Sequence, residues 1–225
     1  MAREWTPVGL HQFVGESLIV RFARPGVKAI DLGSGGGAMA DRMHSLGCEV
    51  VSADLSARGF EANLPHISID LDQPDFASIL GLEVYGLVTA IEVIEHLESP
   101  LSFLRNVRRM LSPEGVAVIS TPNVDSLPTR LRFLQTGKIR MMDDRGEPTH
   151  ISPIFFDLLQ QKLLPLAGLR LREHLVFPPG GFHASRKSVA WLMRLGARAF
   201  AAKSIVGDHN VFLLEASRPK SEGQC

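Results

Sequence analysis

Val27-Lys28-Ala29-Ile30-Asp31-Leu32-Gly33-Ser34-Gly35-Gly36-Gly37-Ala38-Met39 is the stretch whose reading decides the fold. Val27 to Leu32 is a short apolar run that ends beside an acid and enters glycines. Met39, Met43 and Leu46 then recur on one helical face, and Gly47 closes the pattern. A strand passing through glycines into a helix is a βα unit. Its turn leaves the backbone open to a ligand, and its helix offers free N–H groups and a partial positive charge at the N-terminus.

The same alternation extends in both directions. Upstream, Leu10, Phe13, Val14, Leu18, Ile19 and Phe22 follow a helical period that Pro25-Gly26 stops, giving a leading cap helix within residues 1–26. Downstream, 49–54, 66–70, 84–90 and 116–120 read as strands, with Pro113-Glu114-Gly115 as the turn into the last of these. Ser99 is a predicted N-cap before Pro100, and Leu101, Leu104, Val107 and Leu111 form that helix's apolar stripe. Residues 122–150 are polar, rich in Arg and Met and without a period, which suggests a loop or lid at an acceptor site. Ser152-Pro153 is predicted to start another helix bearing Phe156, Leu159 and Leu163. Residues 169–176 alternate like a strand, 185–203 read as a helix, and 210–216 as a closing strand.

Strands alternating with helices predict an α/β fold: a single doubly wound, Rossmann-like domain with a mostly parallel sheet and helices on both faces. The length of 225 residues suits one such core. We place the domain at 1–217, with acceptor-site or lid insertions at 122–152 and 177–208, and a tail at 218–225. Hydrophobic residues at 45% and charged residues at 21% suit a globular chain. Lys plus Arg and Asp plus Glu both total 24, so no global basic field gathers nucleic acid. Cys48 and Cys225 form neither a disulfide framework nor a zinc spacing. No apolar run nears the roughly 18 residues of a spanning helix, and a cytoplasmic protein is expected.

Taken alone, the glycine turn is ambiguous. Gly33-Ser34-Gly35-Gly36-Gly37-Ala38 also satisfies the dinucleotide pattern, and Asp54 follows about 20 residues later, where a ribose-binding acid belongs. Asp31 separates the readings, because a carboxylate just before the first glycine would repel a pyrophosphate but suits a cation. S-Adenosylmethionine has no phosphate and carries a sulfonium and an ammonium. Asp54 could accept both ribose hydroxyls, and Asp70 the adenine amine. The plainer alternative is that each acid merely caps a strand end or turn.

These residues resemble the class I methyltransferase superfamily, most closely its small-molecule branch of ubiquinone-biosynthesis-type O-methyltransferases. The resemblance rests on 29–37, on Ala53-Asp54-Leu55-Ser56, on Asp70-Leu71-Asp72-Gln73-Pro74, on Ala90-Ile91-Glu92-Val93-Ile94-Glu95-His96-Leu97, and on Ser120-Thr121-Pro122-Asn123. A fainter match follows at His150-Ile151-Ser152-Pro153. It implies a seven-stranded sheet whose last strand inserts antiparallel, and S-adenosyl-L-methionine as cofactor. Gly33, Ser34, Gly35 and Gly37 would then line the methionine side with Asp31 beside the amino group. Asp54 and Leu55 would meet the ribose, Asp70 and Leu71 would flank adenine, and Ile91 and Glu92 would border the cofactor and face the acceptor.

Methyl transfer is an in-line displacement that chiefly needs alignment and exclusion of water. For a hydroxyl acceptor a base helps, and His96, His150 and Glu92 are the candidate catalytic residues. Against this, His96 could simply bond a backbone carbonyl and His150 cap the helix near Pro153. Glu92, Glu95 and His96 also raise the question of a metal, but with no further cluster we assign none. The basic face of 185–203 could meet an anionic membrane or cover the pocket, or be an ordinary packing helix. Arg130, Arg132, Lys138, Arg140 and Arg145 could bind an anionic acceptor or be solvated. The expected partner is a small-molecule acceptor with an oxygen nucleophile on a metabolite, sugar or quinone-like ring; the oligomeric state is unreadable. Two other functions compete: an NAD(P)-dependent oxidoreductase, which lacks a Tyr-x-x-x-Lys pair here, and a methyltransferase-like binding protein without turnover.

Overall fold

The computed structural model describes residues 6–143, 148–179, 181–182 and 205–217. The elements in order are α1 (Leu10–Ser17), β1 (Lys28–Leu32), α2 (Ala38–Ser45), β2 (Glu49–Asp54), β3 (His66–Ser68), α3 (Phe76–Leu80), β4 (Tyr85–Ile91), α4 (Pro100–Met110), β5 (Leu111–Pro122), α5 (Leu127–Thr136), α6 (Phe156–Leu158), α7 (Leu164–Ala167), β6 (Leu169–Phe177) and β7 (His209–Ala216). Short 3-10 turns at Ile19–Arg21 and Ile94–His96, and a π turn at Leu159–Leu163 between α6 and α7, complete the described elements.

The strands form one seven-stranded sheet in the order β3-β2-β1-β4-β5-β7-β6. β1 to β5 pair in parallel, while β7 lies antiparallel between β5 and β6. Chain order reverses between β1 and β4, and such a switch point opens a crevice at the carboxyl ends of the strands. Because both faces are covered, the central strands read as continuous apolar runs, and alternate residues feed two separate cores. Ile30, Leu32, Val88 and Ala90 pack with Phe76, Phe103 and Leu104 under α3 and α4. Ala29, Leu87, Ile91 and Val118 pack with Leu10, Val14, Met39 and Met43 under α1 and α2.

Several sequence expectations hold closely. Glu49–Asp54 is a strand with the expected bounds, and α4 begins at Pro100, with the Ser99 hydroxyl accepting the Ser102 N–H. Others are corrected. Pro113-Glu114-Gly115 is no turn between elements but a bulge inside β5, since Tyr85 pairs with Leu111 and Leu87 with Val116. The helix expected from Ser152-Pro153 begins only at Phe156, whose N–H is accepted by Asp125 Oδ2 at 2.8 Å, while the Ser152 hydroxyl donates to the Leu97 carbonyl at 2.6 Å. Residues 122–150 are not uniformly irregular: they contain α5, which buries only Thr129 and so shows no apolar period. The helix expected at 185–203 and Arg145 lie outside the described residues. Among the described residues, no helix is long and apolar enough to cross a membrane.

Candidate active site

A cavity of about 480 Å³ opens at the carboxyl ends of β1 to β4, within the range of small-molecule sites. Each strand delivers its residues by ending there. Gly33 and Gly35 follow β1, Asp54 closes β2 and Leu55 follows it, Asp70 to Asp72 lie beyond β3, and Ile91 closes β4 before Glu92 and Val93.

The turn after β1 is shaped by its glycines. Gly33 sits at φ 67, and a Cβ there would come within 2.4 Å of a Val93 methyl. Gly35 sits at φ 51, and its N–H donates to Asp54 Oδ2 at 2.8 Å. The Leu55 N–H donates to Asp54 Oδ1 at 2.7 Å, so both oxygens are aimed by backbone and keep lone pairs for a diol. Asp70 stands at the exposed rim, its Oδ1 accepting the Asp72 N–H, beside the buried Leu71.

Three of the predicted cofactor residues are not on the cavity wall. Asp31 points to the α1/α2 side of the sheet, is 2% exposed, and accepts the Thr89 hydroxyl at 2.6 Å. Burial pushes its carboxyl up to about 7, and the charge of Asp54 adds to this against the Thr89 hydroxyl and the Ala40 N–H. Asp31 therefore braces the turn from beneath. Ser34 is buried, and Gly37, at φ 89, heads α2 where a Cβ would strike Phe60 and Ala62.

Glu92 has a φ of 57, uncommon for a non-glycine residue. Its N–H donates to the Ser120 hydroxyl oxygen at 3.0 Å and its Oε1 accepts that hydroxyl's proton at 2.8 Å. Its Oε2 lies 2.8 Å from Nδ1 of His209, which also lines the cavity.

The two predicted histidines come together in the same cavity, their rings edge to face with centroids 4.6 Å apart. His96 Nδ1 lies 3.2 Å from the Thr149 carbonyl and His150 Nδ1 2.7 Å from the Met141 carbonyl. The backbone-bonded alternative thus holds for His96, whereas His150 caps no helix. Since a carbonyl only accepts, each ring keeps its proton on Nδ1 and presents Nε2 as a lone pair. Glu95 is wholly buried beside them, and its Oε1 lies 3.9 Å from His150 Nε2, too far for a hydrogen bond. Burial, with the nearby Glu92 charge, holds its carboxyl well above the usual range. Ligand atoms of Glu95, His96 and His150 lie within 4.8 Å of one another, and histidines whose other nitrogen bonds a carbonyl are a common metal-ligand arrangement. The sequence alone assigned no metal; the fold brings in the ligand, His150, that the pattern lacked.

The arginines of 122–150 are largely engaged within the chain. Arg140 binds the buried Asp208 at 2.6 Å, Arg132 pairs with Asp143, and Arg130 lies 3.7 Å from Asp125. None of them lines the cavity. Among the described wall residues there is no Lys or Arg, whereas Asp54, Asp70, Asp72 and Glu92 all contribute carboxylates.

Sequence reasoning missed Thr6, Pro7, Val93, Leu97, Met141 and His209, and gave Asp72 no role. For His209 there was a usable signal. An antiparallel last strand starts where its parallel neighbours end, so its first residue reaches the rim, opposite Pro122.

Residues 11–179 match the family described as methyltransferase domain, which is well over half of the chain. The chain belongs to the class I S-adenosylmethionine-dependent methyltransferases. Within this family, a ubiquinone biosynthesis O-methyltransferase of Ruegeria pomeroyi is 33% identical over 172 residues, covering 68% of this chain and 65% of the relative. One of the same name from Cereibacter sphaeroides is 31% identical over 149 residues, and the chain spans 60% of its length. The chain thus spans less than two thirds of these curated relatives. Among solved class I methyltransferases, a SAM-dependent methyltransferase from Archaeoglobus fulgidus superposes with a TM-score of 0.64 at 16% identity, over 92% of this chain and 94% of that one. The Burkholderia thailandensis 1,6-didemethyltoxoflavin-N1-methyltransferase, solved with S-adenosylhomocysteine, superposes with a TM-score of 0.58 at 14% identity, over 95% and 81%.

Proposed function

We propose that the protein transfers the methyl group of S-adenosylmethionine to an oxygen atom of a small-molecule acceptor. One observation carries the reading: the described cavity wall joins glycine backbone to four carboxylates and holds no Lys or Arg. A pyrophosphate would meet uncompensated negative charge there, whereas a sulfonium with an ammonium would be favoured. The names of the relatives support oxygen as the acceptor atom.

In this reading Asp54 accepts the ribose hydroxyls, aimed by the Gly35 and Leu55 N–H groups. Asp70 and Leu71 flank the adenine, and Gly33 gives the methionine end close access to backbone. Ile91 and Glu92 border the donor and face the acceptor, which sits among His96, Met141, His150 and His209. Alignment behind the methyl group and exclusion of water are the chief tasks of the chain. Glu95, His96 and His150 fit a divalent cation, which when bound would supply a Lewis acid on the acceptor side.

The test is release of S-adenosylhomocysteine over phenols, sugars and carboxylic acids, with the position of the new methyl group read by mass spectrometry and NMR. An O-methyl product is expected. Transfer only to nitrogen, or tight binding of NAD with none of S-adenosylhomocysteine, would overturn the assignment.

A further inference from the structure

We infer that His209, oriented by Glu92, is the base that takes the acceptor's proton. The inference rests on the methyl-transfer reading above and adds to it a residue at the junction of β7 and the cavity.

Among the described residues three histidines line the cavity, and they are not equivalent. His96 and His150 bond backbone carbonyls through Nδ1 and gather with the buried Glu95, whose Oε1 lies 3.9 Å from His150 Nε2, so no ionised carboxylate among the described residues holds either ring by a hydrogen bond. His209 is held differently. Its Nδ1 meets Glu92 Oε2 at 2.8 Å, and its side chain is 3% exposed, so the contact is sheltered from water. A carboxylate can only accept, which places the proton on Nδ1 and leaves Nε2 as the basic nitrogen.

The carboxylate is itself held firmly. The Ser120 hydroxyl fixes Glu92 Oε1, the Ser120 oxygen accepts the Glu92 N–H, and the backbone keeps a φ of 57. Such local strain persists only where surrounding contacts impose it, and it concentrates at functional sites. Of the other charged groups near this pair, Glu95 feels the Glu92 charge and its carboxyl is held well above the usual range. Asp208, next in the chain, is bound by Arg140, and His11 approaches Glu92 from α1 while burial and the Arg42 charge lower its pKa to about 4. Phe177 packs beside the His209 ring with centroids 6.4 Å apart. A carboxylate that fixes the tautomer of an imidazole and then stabilises the imidazolium is a general arrangement for proton abstraction.

The step balances as follows. An acceptor oxygen lone pair forms the O–CH3 bond while the S–CH3 bond breaks and its electron pair stays on sulfur. The donor becomes neutral S-adenosylhomocysteine, and the hydroxyl proton passes to His209 Nε2. The imidazolium faces the Glu92 carboxylate until water removes the proton. Glu92 is here a positioning residue.

The experiment uses the full chain with catechol and the more acidic 4-nitrocatechol as acceptors. His209→Gln should lower kcat with catechol by about 100-fold or more. It should cost far less with 4-nitrocatechol, which ionises unaided, and the variant's rate with catechol should rise with pH as that acceptor ionises. Calorimetric affinity for S-adenosylhomocysteine should stay within about twofold of the native protein. Glu92→Gln should show the same acceptor dependence in weaker form. A His209→Gln enzyme with native kcat on catechol, or an equal loss on both acceptors, would overturn the inference. Failure of the native protein to bind S-adenosylhomocysteine would instead sink the underlying methyl-transfer reading. If neither catechol is methylated, 15N spectra of histidine-labelled protein with S-adenosylhomocysteine bound decide the matter. His209 must carry its proton on Nδ1, and a proton on Nε2 at neutral pH would exclude it as the base.

Discussion

Asp31 shows how one buried side chain ties the glycine turn to the stability of the molecule. Burial raises its pKa from 3.8 to about 7, so between those values the folded chain keeps a proton that the unfolded chain has released. Its contribution to stability is therefore greatest below pH 3.8 and is lost as pH rises toward 7. Asp31→Asn cannot ionise and escapes that loss. Relative to the native protein, its unfolding free energy in urea should improve between pH 4.5 and pH 7.5 by on the order of a few kcal/mol. His11, pushed down to about 4 by burial and Arg42, titrates in the opposite sense, but it is common to both proteins and cancels in the difference. A difference independent of pH would show that Asp31 has an ordinary carboxyl. The sequence presented this residue as a ligand for the cofactor's amino group. Its position near the end of β1 was legible, but the face of the sheet it occupies was not, because a single acid gives no period from which to read direction.

At the scale of elements, β5 illustrates a feature that local sequence rules misread. Pro113-Glu114-Gly115 carries turn chemistry, yet it bulges within a strand that regains its pairing at Val116 opposite Leu87. Gly115 is required there by space: a Cβ would lie 2.4 Å from the Tyr85 carbonyl oxygen, which is backbone and cannot move aside. Gly115→Ala should cost about 1–3 kcal/mol in chemical denaturation, the usual range for overpacking. Because the bulge lies at the end of β4 and β5 remote from the cavity, affinity for S-adenosylhomocysteine should be unchanged. A variant of native stability would mean that the bulge relaxes freely. The strands β1 and β4 were readable because burial on both faces makes them short, mostly apolar runs, and β2 because Val50, Val51 and Ala53 lie between the acids that bound it. Helix α5 was not, since Leu131, Phe133 and Leu134 are 44%, 53% and 81% exposed and no buried stripe marks it. Its N-cap Ser126, early Pro128 and left-handed C-cap Gly137 were the remaining signals, and they frame the helix correctly.

At the scale of the whole molecule, the sheet order turns residues far apart in sequence into one wall. Local patterns found the turn after β1 and the acid at the end of β2, and the family resemblance supplied the glutamate after β4, because each belongs to its own βα unit. The approach of His209 to Glu92 spans 117 residues and depends on β7 entering antiparallel beside β5, which no local pattern encodes. A ligand that bridges these units should therefore stabilise the fold as a whole. Binding adds about 2.7 kcal/mol when the free ligand is 100 times its Kd. For a chain of this length each kcal/mol shifts the melting temperature by about 2–4 °C, so S-adenosylhomocysteine at that excess should raise it by about 5–10 °C. NAD at the same concentration should produce no comparable shift, since its pyrophosphate would face Asp54, Asp70, Asp72 and Glu92 with no Lys or Arg among the described wall residues. Asp54→Ala should remove most of the S-adenosylhomocysteine shift while leaving the unliganded melting temperature within a few degrees, because Asp54 is partly exposed and its main task is at the cavity. Equal shifts with NAD and S-adenosylhomocysteine would mean that the glycine turn, rather than the surrounding acids, governs what the cavity accepts.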